Sequence, residues 1–350
     1  VDFPFKDEAS RQNFIGLLFT PLLAPALDGC IPMHLVMASL ERTGKGLVIS
    51  SLLGNGVCGC PIPTLQMGTS EEEREKRITS LILEGATVVH LDNIPTRIVL
   101  DSAAICSLLT SRIWKGRELG KSRTPALPNN LITVASGNNV RATGEVAKRC
   151  VPIWLQPIDD HPEERADFVH ADIQAYVRAH RRRVLAILIG AVLVWKDVGR
   201  PESNMRLGGF EEWARVVGGV LLTGGLDAWL ANYRSWVSVA DDWTADAEKL
   251  AEIWWTRYGA TNISASQALE LIRATPLFPS VTARAEAGQL MTFTKSVLLP
   301  MLDRPLRGYR LTKETYGNNS HYRMTFDSDR EREANQSSWE VGGKSWEVPT

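Results

Sequence analysis

The chain has 350 residues, 39 of them Lys or Arg and 40 Asp or Glu, for a formal net charge of −1. That balance excludes a global electrostatic grip on nucleic acid, so any such contact has to come from local basic segments. The length suits one large core plus a smaller domain. Five cysteines, an odd number in a long chain, read as reduced thiols of an intracellular, cytoplasmic protein rather than a disulfide framework. Val1-Asp-Phe-Pro-Phe-Lys has neither the basic start nor the apolar core of a signal peptide, and a first residue other than Met reads as a piece of a longer protein.

Residues 7–28 are predicted helical, because Phe14, Leu17, Leu18 and Leu22 recur at helical spacing. A short apolar strand follows, Met33 to Ala38, and after it Thr43-Gly44-Lys45-Gly46 opens another apolar run. Strand, turn, Gly-Lys and helix form the layout of a phosphate-binding loop. The backbone N–H groups of Thr43, Gly44 and Gly46 would face an anion, with Lys45 reaching its terminal phosphates. The full pattern asks for Gly at position 39 and Ser or Thr at 46. Ser39 and Gly46 stand there instead, so the motif is degenerate and a chance Gly-Lys turn remains an alternative.

Cys58-Gly-Cys60 lacks the second pair that a zinc site needs. In Glu71–Arg77, Glu72 with Lys76 and Glu73 with Arg77 are helical i,i+4 pairs, which an exposed helix start explains. Ala86 to Asn93 is a buried-strand pattern ending in Asp92-Asn93, and Leu131 to Asn139 is another ending in Gly-Asn138-Asn139. Between them, Thr110 to Pro125 holds five basic residues and one acid. Ala147 to Leu155 is a further strand, entered through Arg149. Such alternation of strands and helices argues for a parallel sheet between helices. Lys45, Asp92 and Asn138 all fall at carboxyl ends of strands, where ligands of these sheets bind.

From Pro162 to about Ala240 the pattern turns helical, with 163–196 as one long helix or two. The run Leu185–Trp195 is too short for a membrane span, which takes about 20 apolar residues, and is expected to be a buried helix. Thr244 to Phe326 reads as three helices (Ala247–Tyr258, Ser264–Arg273, Glu286–Leu302) and two strands around Tyr316-Gly-Asn-Asn-Ser, a winged-helix pattern. Lys295 to Arg323 carries six basic residues against two acids, and Arg307 and Arg310 are its candidate DNA contacts. The expected domains are an α/β core at 1–160, a helical lid at 161–243, a winged-helix-like domain at 244–326 and a polar tail at 327–350.

Strand–Lys, strand–Asp, strand–Asn and Arg–strand, in that order, are the site plan of an AAA+ P-loop ATPase. Over about residues 10–325 the chain resembles the ATPase of primase–helicase proteins of phages and integrative elements. These are related to superfamily 3 viral helicases and minichromosome maintenance helicases. The Asp-Asn and Gly-Asn-Asn strand ends and the segment Leu108–Gly120 are the most specific parts of the likeness.

The resemblance implies ATP and Mg2+ as cofactors, with Lys45 on the β/γ-phosphates, Asp92 holding Mg2+ and Asn138, rather than Asn139, as the polar sensor. It implies Arg149 as an arginine finger acting across a subunit boundary, and Arg206 or Arg215 as a lid arginine on the phosphates. In superfamily 3 relatives the interval between the metal and sensor strands is a channel hairpin. Lys115, Arg117, Lys121 and Arg123 would then touch backbone phosphates of single-stranded or forked DNA. The whole would be a ring, a hexamer, working as a helicase or translocase motor in mobile-element replication.

Gly46 lacks the hydroxyl that usually ligates Mg2+, Asn93 stands where many AAA+ enzymes carry a catalytic glutamate, and Glu41-Arg42 are bulky for the loop. These departures keep open a non-hydrolysing, nucleotide-dependent DNA-binding assembly module. A small-molecule P-loop kinase is disfavoured, since the basic hairpin and winged-helix end have no purpose in it.

Overall fold

The computed structural model describes residues 3–326 except 67–69, 95–98, 101, 117–123, 143, 158–161, 163–164, 166–167, 276, 284 and 317–318. The chain divides into two compact units, Val1–Ala240 and Asp241–Thr350.

In the first unit, helix α1 (Glu8–Leu23) starts where the Asp7 carboxylate accepts the Ser10 N–H at 2.7 Å. It tightens into a 3-10 turn at Ala24–Ala26, short of the predicted end at 28, because Pro25 has no N–H to continue the helical ladder. Strand β1 (Met33–Ala38) leads into α2 (Lys45–Val48), which carries on as a π-helix over Ile49–Cys58. Gly59, at φ 76°, ends it by donating its N–H to Gly54 O at 2.7 Å.

Then come β2 (Thr64–Gln66), α3 (Glu71–Leu83), β3 (Val88–Ile94), β4 (Val99–Leu100) and α4 (Ala103–Thr110). Ser70 and Ser102 cap the two helices through their side chains. A hairpin stem, β5 (Ile113–Lys115) with β6 (Ala126–Pro128), precedes β7 (Ile132–Asn138), β8 (Arg141–Ala142), α5 (Gly144–Ala147) and β9 (Cys150–Leu155).

Five strands form one parallel sheet in the order β2-β3-β7-β1-β9. All six residues of β1 are buried, as its unbroken Met-His-Leu-Val-Met-Ala run requires of a parallel strand covered on both faces. From β1 the chain jumps past β7 and β3 to the far edge, works back through them, and ends beyond β1 at β9. That reversal opens a crevice at the carboxyl end of β1, the position such sheets use for ligands.

Helices α6 (Ile173–Ala179), α7 (Arg181–Asp197) and α8 (Glu211–Thr223) complete the unit. α6 and α7 pack on the π-helix, and α1 packs on β9 and α8. α1 buries polar side chains as well as apolar ones. Asn13 Nδ2 donates to Pro152 O at 2.7 Å and its Oδ1 accepts the Leu230 N–H at 2.8 Å, while Trp213 Nε1–H reaches Thr20 Oγ1 at 3.1 Å. One apolar cluster runs from Phe14 through the sheet to Trp236.

The expectation of a buried helix at Leu185–Trp195 is corrected. α7 buries Leu188 and Trp195 but leaves Ile187, Leu193 and Val194 more than half exposed. Among the described residues no helix is long and apolar enough to cross a membrane.

The second unit takes in most of α9 (Tyr233–Tyr258), followed by β10 (Ile263–Ser264) and α10 (Ala265–Arg273), which Ser264 and Gln267 close with a capping box. α11 (Pro279–Thr282) is short. α12 (Glu286–Phe293) runs through a π-helical stretch, Thr294–Leu298, into α13 (Leu299–Met301). The hairpin β11 (Tyr309–Tyr316) with β12 (Asn319–Phe326) forms the wing, and β10 adds a third strand that the sequence did not announce. Leu250, Trp254, Phe293, Tyr322 and Met324 fill a core of their own. The α/β layout with a parallel core sheet and a small antiparallel helix–sheet region is therefore the one the sequence predicts.

His34, in β1, is fully buried beside Trp213, with ring centroids 5.4 Å apart, and neither ring nitrogen has a hydrogen-bond partner. Burial pushes its pKa down from 6.5 to about 3. The unfolded chain therefore binds this proton first. Its contribution to stability is complete above pH 6.5 and is lost as pH falls towards 3. Between pH 7 and 5 the unfolding free energy should drop by about 2 kcal/mol from this residue alone. Urea titrations at the two pH values should show that part of the slope removed in His34→Leu, and an unaltered slope would assign it to other groups.

Candidate functional site

The loop after β1 takes its shape from two residues in the left-handed region, Arg42 at φ 57° and Gly44 at φ 92°. Glycine tolerates that conformation freely, whereas Arg42 is strained by it. Thr43 is buried and its Oγ1 donates to Leu40 O at 2.8 Å, tying the loop to itself. Asn139, at φ 45°, pins the loop's entrance: its N–H donates to Ala38 O at 2.9 Å and its Nδ2 to Ser39 O at 3.0 Å.

Lys45 opens α2 and turns its Nζ back over the loop, donating to Leu40 O at 3.3 Å and to Asn138 Oδ1 at 2.5 Å. Burial pushes its pKa down, and the nearby charges of Glu41 and Asp92 oppose that shift. Lys45 and Asn138 are thus in direct contact at the carboxyl ends of β1 and β7, within the field of Asp92 from β3.

Asp92 is about half exposed, at 47% of its side chain. The pairing of β3 with β7 slips between Leu91 and Ile94, and Asn93 sits at φ 55°. Asp92-Asn93 therefore form a bulge, a device that re-aims a side chain at the end of a strand. Asp92 Oδ1 accepts the Asn93 N–H at 2.8 Å and the Ser136 hydroxyl at 2.8 Å. Behind Ser136 lies His90, its Nε2 2.9 Å from the Ser136 Oγ. Gly137 makes this junction fit, because a Cβ there would stand 2.7 Å from Ile94 O and 2.5 Å from Val140 Cγ2.

A carboxylate, an amine and a turn of backbone N–H groups suit a nucleotide carrying its own Mg2+. That ion binds through one or two carboxylates plus phosphates and keeps several waters. Among the described residues no group of three or more His, Cys, Asp or Glu could hold a metal ion.

Arg149 lies at the other end of the sheet. It precedes β9, and its carbonyl accepts the N–H of Met33, the first residue of β1, at 3.0 Å. Its Nη1 donates to Glu145 O at 2.7 Å and pairs with the Glu145 carboxylate. A strand of this length separates it from the Lys45 of its own chain by roughly 20 Å. Of the two arginines expected in a lid, Arg215 pairs with Glu202 at 2.5 Å, and Arg206 is exposed.

The basic interval is a hairpin at its base. Trp114 is buried and donates its Nε1–H to Thr79 Oγ1 of α3 at 2.9 Å, while its neighbour Lys115 is exposed. Arg117, Lys121 and Arg123 lie outside the described residues. In the second unit, Arg307 pairs with Glu248 at 2.7 Å, and Arg310 donates to Asp303 O at 2.8 Å. Both of these arginines are engaged within their own unit, whereas Lys313 of β11 is exposed.

Sequence reasoning passed over His90 and Ser136 and ranked Asn139 below Asn138. A signal for the first pair was present: a histidine and a serine inside otherwise apolar, buried strands call for partners.

The chain matches no protein-family model and no curated protein. Among solved structures it is similar to JCV helicase, in a crystal structure with N-(4-(2-(thiazolo[5,4-c]pyridin-2-yl)phenoxy)phenyl)acetamide bound, at 13% identity and a TM-score of 0.30 over 67% of this chain and 65% of that one. An X-ray structure of JCV helicase gives 14% identity and a TM-score of 0.30 over 67% and 64%. The chain thus covers just under two-thirds of the length of these proteins. An overlay that loose pairs no residues of the two chains, and the site rests on its own geometry.

Gly137→Ala should force β3 and β7 apart at their carboxyl ends and lower stability by about 1–3 kcal/mol. Urea unfolding checks this, and wild-type stability in the variant would mean that Ile94 gives way without cost.

Proposed function

We propose that this chain is the ATP-driven motor of a DNA helicase or translocase. The observation that carries the reading is the meeting of Lys45 with Asn138, beside Asp92, at the carboxyl ends of three neighbouring parallel strands. In this reading Lys45 leaves Asn138 for the β/γ-phosphates, and the Thr43, Gly44 and Gly46 N–H groups face the same anion. Asp92 would hold the Mg2+, which would supply charge neutralisation on the phosphates. Asn138 would offer its side chain to the γ-phosphate.

Arg149 sits too far from its own Lys45 to serve it, and that placement suits a donor for the next subunit of a ring, a hexamer by family resemblance. Its pairing with Glu145 then has to open at the subunit boundary. Lys115, Arg117, Lys121 and Arg123 would contact single-stranded or forked DNA. The divisions 1–160, 161–243, 244–326 and 327–350 would separate motor, lid, winged-helix-like domain and tail in a cytoplasmic, mobile-element replication protein.

The second reading, a nucleotide-dependent assembly module without hydrolysis, is favoured by one observation. Asn93, the position expected to polarise the attacking water, is an amide held at φ 55° in the bulge.

ATP turnover measured with and without single-stranded DNA separates the two readings, because only the motor is stimulated. Lys45→Ala should keep its melting temperature and lose turnover by a factor of about 10² or more, since the lost charge acts on the transferring phosphoryl group. Turnover near wild type in that variant would place the phosphate site elsewhere.

Replacing Lys115, Arg117, Lys121 and Arg123 together with Ala should weaken binding to all single strands alike. Each lost phosphate contact should flatten the log–log salt dependence by about 0.7. An unchanged salt slope would move the contact to the wing.

A further inference from the structure

We infer that His90 and Ser136 are positioning residues that fix the Asp92 carboxylate in the orientation that receives the magnesium ion of a bound nucleotide. The inference rests on the nucleotide-site reading above and adds two residues that the phosphate-loop pattern does not contain.

Three side chains from two paired strands stand in line. His90 Nε2 is 2.9 Å from Ser136 Oγ, and Ser136 Oγ donates to Asp92 Oδ1 at 2.8 Å. The direct gap between His90 Nε2 and Asp92 Oδ1 is 3.7 Å, so the serine bridges them. A serine hydroxyl has one hydrogen, and here it points at the carboxylate. His90 must therefore donate Nε2–H to the serine oxygen, which selects that tautomer.

Burial separates this from ordinary core satisfaction. His90 and Ser136 are 6% and 1% exposed, in strands that apolar residues would fill without any need for partners. The line ends on a carboxylate that is about half open to solvent and needs no protein donor for its hydration. What the serine gives Asp92 is a direction. Both described hydrogen bonds fall on Oδ1, which leaves Oδ2 as the oxygen for the ion or its water. Hydrogen-bonding partners behind a metal ligand commonly raise metal affinity in this way.

The test uses the full chain with Mn2+ as a spectroscopic probe, its affinity measured with ADP bound, alongside ADP affinity in EDTA and the melting temperature. Ser136→Ala and His90→Leu should weaken Mn2+ binding about 10–100-fold while ADP binding in EDTA stays at the wild-type level. His90→Gln should hold Mn2+ close to wild type, because its amide nitrogen is as many bonds from Cβ as Nε2 and still donates. Unchanged Mn2+ affinity in Ser136→Ala would overturn the proposal. So would equal losses of Mn2+ and of metal-free ADP binding, or a His90→Gln chain as weak as His90→Leu. A wild-type chain that binds ADP but shows no ADP-dependent Mn2+ site refutes the positioning role alone. A wild-type chain that binds no ADP refutes the nucleotide-site reading itself, and this inference with it.

Discussion

Everything at the candidate site depends on the register in which β1 lies beside β7. Ala38 stands opposite Asn138, and the next residue, Asn139, continues the pairing by donating its N–H to Ala38 O. That single register sets Lys45 and the strand-end amide of Asn138 within hydrogen-bonding distance. A one-residue slip would exchange the side chains of β1 between two covered faces, each close-packed around its own set. The hydrophobic fit of Met33, Leu35, Val36 and Met37 is therefore also what aims Lys45.

The lysine ammonium donates to the oxygen of the Asn138 amide. Lys45 is partly desolvated, and an ammonium in that position needs acceptors. Leu40 O and Asn138 Oδ1 supply them. Phosphate oxygens, with full negative charge, are stronger acceptors than a neutral amide. The contact with Asn138 is thus one that an anion can displace.

The sheet was legible in the sequence because its strands are short, apolar and bounded by turn residues, and the three strand-end residues could be placed from that pattern. Strand ends shifted by one or two residues: Ala86–Asn93 became Val88–Ile94, and Ala147–Leu155 lost its first three residues to α5 and a turn. Two things had no local signal. The bulge at Asp92-Asn93 arises from the pairing with β7, not from the residues in it. The half-exposed face of α7 reads in sequence as a core helix, because composition counts apolar residues without saying which side finds a partner. His90 and Ser136 fall between these cases, since their polarity was visible but their common target was not.

In the proposed nucleotide-site reading, Gly46 bears on which group would hold the Mg2+. A Cβ at that position would meet nothing within 4 Å, and its φ is not among the positive ones, so packing does not demand glycine. A serine or threonine would fit, and its hydroxyl is absent for some reason other than space. In the proposed reading, Mg2+ without that ligand would fall to Asp92, a carboxylate on a strand bulge, a backbone feature that by itself leaves side-chain rotation free. A carboxylate asked to act without the usual hydroxyl has more need of a fixed orientation. The buried line from His90 through Ser136 is the element of the fold that can give it one.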